Sequence, residues 1–181
     1  MKLRIYTDTH LFSPMRDITS INKIEKSYFI GDIVDLANVK KKDYKNAMLN
    51  YSHLKPNSKG WIDGNHERVS ITNDVIRIEN TLLVHGDFEA WGDKRAIKYR
   101  SKKHTAGWFK RNIWVRALKN FEKLVKHVPK KKMIDRLVSH AKFRNCDTII
   151  CGHRHPRTTY DKMNEGVRVV VLKRGLSEID V

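Results

Sequence analysis

Five times along this chain a short run of β-branched and aromatic residues stops at a cluster of glycine with aspartate, asparagine or histidine. The clusters are Asp8-x-His10, Gly31-Asp32-x-x-Asp35, Gly64-Asn65-His66-Glu67, His85-Gly86-Asp87 and Gly152-His153-x-His155. This recurrence constrains the fold more than any other feature. Ligand-type side chains that follow strand after strand can meet only if the strand ends share one edge, as in open α/β sheets. Glycine at these points lets the backbone turn sharply and approach closely. An α/β fold is therefore predicted, with its chemistry at the carboxyl ends of the strands.

The elements follow from the same pattern. Residues 2–7, 27–30 and 148–151 read as strands, and 74–79 with 81–84 as a hairpin turning near Asn80. Residues 167–172 and 177–181 read as a closing hairpin around Arg174-Gly175. Helices are expected over 18–26 and 37–53, the latter giving way to a loop at Pro56, Asn57, Ser58 and Gly60. A further amphipathic helix is expected from Trp108, Phe109, Ile113, Trp114, Leu118, Phe121, Val125 and Val128, stopped by Pro129, and another over 132–143.

The chain has 181 residues, enough for one domain. Its two cysteines, Cys146 and Cys151, supply neither a disulfide scaffold nor a four-thiolate zinc site. No apolar run approaches a membrane span, and Asp8 and His10 come too early for a signal peptide. A single domain over 1–181 is expected, cytoplasmic or peripheral to a membrane. The net charge of +17 is unevenly placed. Residues 94–144 hold 18 Lys and Arg against Glu122 and Asp135, and the rest of the chain is nearly neutral. This reads as a basic helical insertion that serves a polyanionic partner.

Asp87 aside, the clusters offer five histidines, three aspartates and an asparagine. Carboxylates mixed with imidazoles suit Mn²⁺, Fe²⁺, Zn²⁺ or Ni²⁺ better than Mg²⁺ or Ca²⁺. There are enough donors for two ions, a common arrangement for hydrolysing phosphate esters. Asp63, Glu67 and Asp87 read as turn residues that support the others, and Cys151 as a buried strand residue.

In that order the five motifs resemble the calcineurin-like metallophosphoesterase superfamily. The resemblance runs from Tyr6 to about His155. It implies two mixed β-sheets packed as a sandwich flanked by helices. It implies that Asp8, His10 and His155 hold one metal, that Asp32 bridges, and that Asn65, His85 and His153 complete the second site. His66 would stand beside the leaving group, oriented by Asp35, while a hydroxide bridging the two ions attacks phosphorus. Manganese is the first expectation, with iron, zinc or nickel as alternatives.

Within the superfamily the chain is most similar to small relatives of UDP-2,3-diacylglucosamine hydrolase. Both share Asp-x-His-Leu, here Asp8-Thr9-His10-Leu11, and a basic helical stretch before the last motif. The chain departs from them at His66, where those hydrolases carry arginine. It departs from the protein Ser/Thr phosphatases at Leu36-Ala37, where they carry Arg-Gly. The expected function is a metal-dependent phosphohydrolase that cleaves a phosphoester or pyrophosphate bond of a phosphorylated anionic substrate. The alternative is a nucleic-acid-directed phosphodiesterase or nuclease. Residues 94–144 would be a substrate cap in the first case, and in the second a surface for nucleic acid or an anionic membrane. A degenerate scaffold is disfavoured, since every expected donor is present.

Overall fold

A computed structural model describes residues 1–10, 26–37, 39, 41–67, 69–101 and 129–181. Nine strands form two sheets among these residues. The first sheet has the order β3-β2-β1-β9, from β1 (Lys2–Thr7), β2 (Ser27–Ile30), β3 (Gly60–Ile62) and β9 (Gly175–Asp180). The second has the order β4-β5-β6-β8-β7, from β4 (Val75–Ile78), β5 (Thr81–Val84), β6 (Thr148–Cys151), β7 (Tyr160–Asn164) and β8 (Val167–Val171). Parallel pairing joins β3, β2 and β1 in one sheet, with β3 at its edge, and β5, β6 and β8 in the other. Antiparallel strands close the edges at β9, β4 and β7.

Strand alternation explains the layers. Leu83 of β5, Ile150 of β6 and Val170 of β8 pack with Leu3, Ile5, Tyr28, Ile30 and Ile62 of the first sheet, so they form the core between the sheets. Their neighbours Leu82, Val84, Ile149, Cys151, Val169 and Val171 point to the other face. There they meet Met133, Ile134, Leu137, Val138 and Ala141 of helix α4 (Lys131–Phe143). On the outside of the first sheet, Phe29 packs with Ala47, Tyr51 and Leu54 of helix α1 (Tyr44–Asn57). Strands buried on both faces need unbroken apolar runs, which is what TLLV and TIIC supply. The result is the expected α/β sandwich of two mixed sheets flanked by helices.

Several local expectations are corrected. The hairpin expected from 167–172 and 177–181 does not form. β8 pairs with β7, and the chain then crosses to the other sheet, where β9 pairs with β1. The edge strand β7, sequence YDKMN, has no apolar alternation that would reveal it. Helix α1 begins at Tyr44, after a 3-10 turn over Lys41–Asp43, and it includes Pro56 in its last turn. Two short helices, α2 (Asp87–Trp91) and α3 (Asp93–Arg100), stand where charge obscured any pattern. Of the basic stretch, α3 and α4 are described. Trp108, Trp114 and the helix expected around them lie outside the described residues, as does the helix expected over 18–26. Among the described residues no helix is long and apolar enough to cross a membrane.

Candidate metal centre

Five parallel strands deliver the five motifs. β1 leads into Asp8 and His10, β2 into Asp32 and Asp35, β3 into Asn65 and His66, β5 into His85, and β6 into His153 and His155. Two backbone hydrogen bonds knit these ends together, from Asp8 N to Gly31 O and from Gly152 N to His85 O, both 3.0 Å. Eight non-glycine residues have positive φ among the described residues, and five of them are Asp8, His10, Asp32, His153 and His155. Strained backbone is therefore concentrated at the motifs, as is usual where a site must be pre-organised. Two glycines are required by close approach. A Cβ on Gly152 would strike Thr7 and Asp8, and one on Gly64 would strike Asp32.

The donor atoms gather as three overlapping groups. They are Asp8 with His10 and His155, His10 with Asp32 and His66, and Asp32 with His85 and His153, each within 4.8 Å. Asp8 lies deepest. Its Oδ1 is 2.7 Å from His155 Nε2, and its Oδ2 accepts from Thr7 Oγ1 and from the His153 amide. Asp32 Oδ1 accepts from the His66 amide at 2.7 Å, while its Oδ2 faces His85 Nε2 at 3.5 Å. Asn65 Oδ1 stands 3.1 Å from the same His85 nitrogen. His66 Nδ1 is 2.9 Å from Asp35 Oδ1. All nine residues singled out from the sequence, Asp8, His10, Asp32, Asp35, Asn65, His66, His85, His153 and His155, belong to one continuous cluster.

This cluster suits divalent metal ions. His85 Nδ1 donates to the Ile30 carbonyl oxygen at 3.0 Å, which leaves Nε2 facing Asn65 Oδ1 and Asp32 Oδ2, where it can take up a metal ion or a proton. Three acceptors then face one another, an arrangement that needs a cation or a proton at its centre. His10 Nδ1 and His153 Nδ1 are buried and lack a hydrogen-bond partner among the described residues. Buried polar atoms of this kind are rare and call for an explanation such as a bound ion.

The titration of the cluster tells the same story. Burial alone would lower His85, but the Asp32 carboxylate outweighs it and lifts the ring to about 10. Burial, reinforced by the neighbouring His85 charge, drives His153 down to about 4. Burial would raise Asp8 and Asp32, yet the surrounding imidazoles hold both below the ordinary carboxylate range. Burial likewise opposes a charge on His66, and the Asp35 hydrogen bond together with the Asp32 charge raises it nonetheless.

The surroundings explain how the motifs keep their shape. Glu67 is buried and accepts four backbone amides, from Asp32 and Gly64 on Oε2 and from Ile33 and Val34 on Oε1. It clamps the β2 loop to the β3 loop. Burial and the Asp32 charge push its carboxyl up to about 7 against those amides. Asp63 takes hydrogen bonds from Tyr51, Trp61 and Lys55 and so ties β3 to α1. Asp87 forms a two-pronged ion pair with buried Arg100, both contacts 2.8 Å. Three partners were not legible in the sequence. Arg100 is one of many basic residues in its stretch, Trp91 packs edge-on against the His153 ring at 4.6 Å, and Arg174 bonds the Thr9 carbonyl oxygen.

Fold and donors together define a metal-dependent phosphoesterase class, and the sequence match agrees. The profile of the calcineurin-like phosphoesterases matches residues 1–157. The chain belongs to that family. No curated protein matches it. Among solved structures it is similar to a dimetal phosphatase from Danio rerio, with 10% identity over 98% of this chain and 91% of that one, at a TM-score of 0.46. It is also similar to Vps29 of Entamoeba histolytica in complex with Zn²⁺, with 13% identity over 96% and 74% of the two chains, at a TM-score of 0.39. A cold-active protein-tyrosine phosphatase of a psychrophilic Shewanella shares 15% identity over 93% and 70%, at 0.43.

Proposed function

We propose that this chain is a phosphohydrolase that uses two divalent ions to cleave a phosphoester or pyrophosphate bond. The observation that carries this reading is the overlap of the three donor groups through His10 and Asp32. Asp8, His10, His155 and Asp32 would hold one ion, and Asp32, Asn65, His85 and His153 the other. Ions held there would supply Lewis acidity toward phosphoryl oxygens and make a bound water more acidic. Manganese is the first choice for this mixed donor set, ahead of iron, zinc and nickel.

The protein's own groups supply the rest. Asp35 accepts from His66 Nδ1 and orients the ring, so that His66 Nε2 would carry the proton that a departing alkoxide needs. Glu67 holds the amides of Asp32, Ile33 and Val34 and so fixes the loop that carries Asp32 and Asp35. The basic stretch over 94–144 would gather the anionic substrate. The resemblance to the UDP-2,3-diacylglucosamine hydrolases, carried by Asp8-Thr9-His10-Leu11 and that stretch, would favour a pyrophosphate-bearing substrate, while His66, where they carry arginine, speaks against their lipid-precursor specificity.

The test is a screen of metal-stripped and Mn²⁺-reconstituted protein. Its substrates are a monoester dye, a diester dye, a cyclic nucleotide, a nucleotide-sugar pyrophosphate and single-stranded DNA. Metal-dependent turnover of at least one small substrate is expected. Two bound ions without turnover of any substrate would overturn the reading.

A further inference from the structure

The candidate centre is closed on one side and open on the other. The Asp8 and His85 side chains are fully buried, whereas 39% of the His155 side chain and 21% of the His66 side chain are exposed. Among the described residues, His155 and His66 are thus the donors an arriving anion would meet first. The crossover from β8 to β9 reaches the loop that carries Asp8 and His10. Its Lys173 amide meets Thr159 Oγ1 at 3.4 Å, and its Arg174 Nη2 donates to the Thr9 carbonyl oxygen at 2.8 Å. Thr9 is the residue between the donors Asp8 and His10. A guanidinium is thus tethered next to the cluster by a contact that spans 165 residues of sequence.

Arg174 is exposed, and its other guanidinium nitrogens have no hydrogen-bond partner among the described residues. Guanidinium is charged at every relevant pH and offers a planar fork that matches two phosphoryl oxygens. One anchored nitrogen limits the freedom that a phosphate contact would otherwise have to remove. Arg174 also lies beyond residues 1–157, the stretch that matches the family profile. It belongs to this chain's own closing crossover.

From this placement we propose that Arg174 forms a second anion subsite beside the metal centre. It would receive a phosphate group adjacent to the one being hydrolysed. The substrate class is then one with two linked phosphates, such as a phosphoanhydride, and not a simple monoester. This inference rests on the phosphohydrolase reading above. It deepens that reading by naming what lies beside the reacting group.

The experiment compares wild type, Arg174→Gln and Arg174→Lys as full-length, Mn²⁺-loaded proteins. Calorimetry measures binding of inorganic phosphate and of methylenediphosphonate, whose two linked phosphonates cannot be hydrolysed. Arg174→Gln should lose about tenfold or more in diphosphonate affinity, the usual worth of a charged hydrogen bond. Phosphate affinity should stay within about twofold, and Arg174→Lys should recover part of the loss through its charge. Metal content and melting temperature report whether the Thr9 turn survives the substitution. Equal loss for both ligands in both variants would mean that the arginine only pins the turn, and no loss for either would mean an idle surface residue. Either result overturns the subsite. The two readings fail separately. Diphosphonate selectivity that depends on Arg174 in a protein without turnover would sink the hydrolase and keep the subsite. Turnover with unchanged selectivity in Arg174→Gln would do the reverse.

Discussion

At the scale of single residues, the proposed chemistry gives Asp32 and His66 separable tasks. Asp32 is the carboxylate shared by two of the three donor groups, and it also accepts the His66 amide. Replacing it with asparagine keeps the size and one acceptor but removes the charge that draws the imidazoles and any cation together. Asp32→Asn should abolish turnover and lower metal content, read by elemental analysis of the purified protein. Two retained ions with a normal rate would mean that the shared carboxylate is assigned wrongly. His66 instead meets Asp35 through Nδ1 and stands at the open side of the cluster. His66→Ala should leave metal content unchanged and cut kcat by roughly 10²–10⁴, the usual contribution of a positioned acid. Esters with good leaving groups, which need no proton, should lose less than alkyl esters. Loss of metal in this variant would make His66 a ligand.

At the scale of elements, the structure depends on loops held by buried polar contacts. Glu67 is the clearest case, since each carboxylate oxygen accepts two backbone amides of the flanking loops. Glutamine in its place would turn an NH₂ group toward two amides that are themselves donors. Each amide left unpaired in the interior costs about 1–3 kcal/mol. Glu67→Gln should therefore lower the unfolding midpoint in denaturant, and a midpoint within error of wild type would show that the clamp is dispensable. Such contacts also mark the limit of what the sequence reveals. β5 and β6 were legible because an apolar run buried on both faces ends at a glycine or histidine. β9 was misplaced because its partner β1 lies at the other end of the chain, and only the adjacent β8 invites a hairpin. β7 is a polar edge strand with no period to find. The donors were legible because each follows a strand. Arg100, Trp91 and Arg174 were not, because each acts through a contact that no local spacing encodes.

At the scale of the whole molecule, the charge distribution sets a final expectation. The excess positive charge sits between His85 and His153, so its two ends are anchored at the cluster. Helix α4 shows how part of that stretch is used. Its apolar face covers the second sheet, while Lys131 and Lys132 stay exposed. These charges are therefore not needed for packing and are free to act at a distance. A field of this kind raises the local concentration of anionic substrate and weakens as salt screens it within about 10 Å at 0.1 M. Neutralising Lys130, Lys131 and Lys132 to glutamine should raise KM for a large phosphorylated substrate and flatten its dependence on salt. Hydrolysis of a small dye ester, which engages only the cluster, should change little. The check is to measure kcat/KM for both substrates across a salt series in wild type and variant. A parallel fall for both would show that the basic face serves the fold alone.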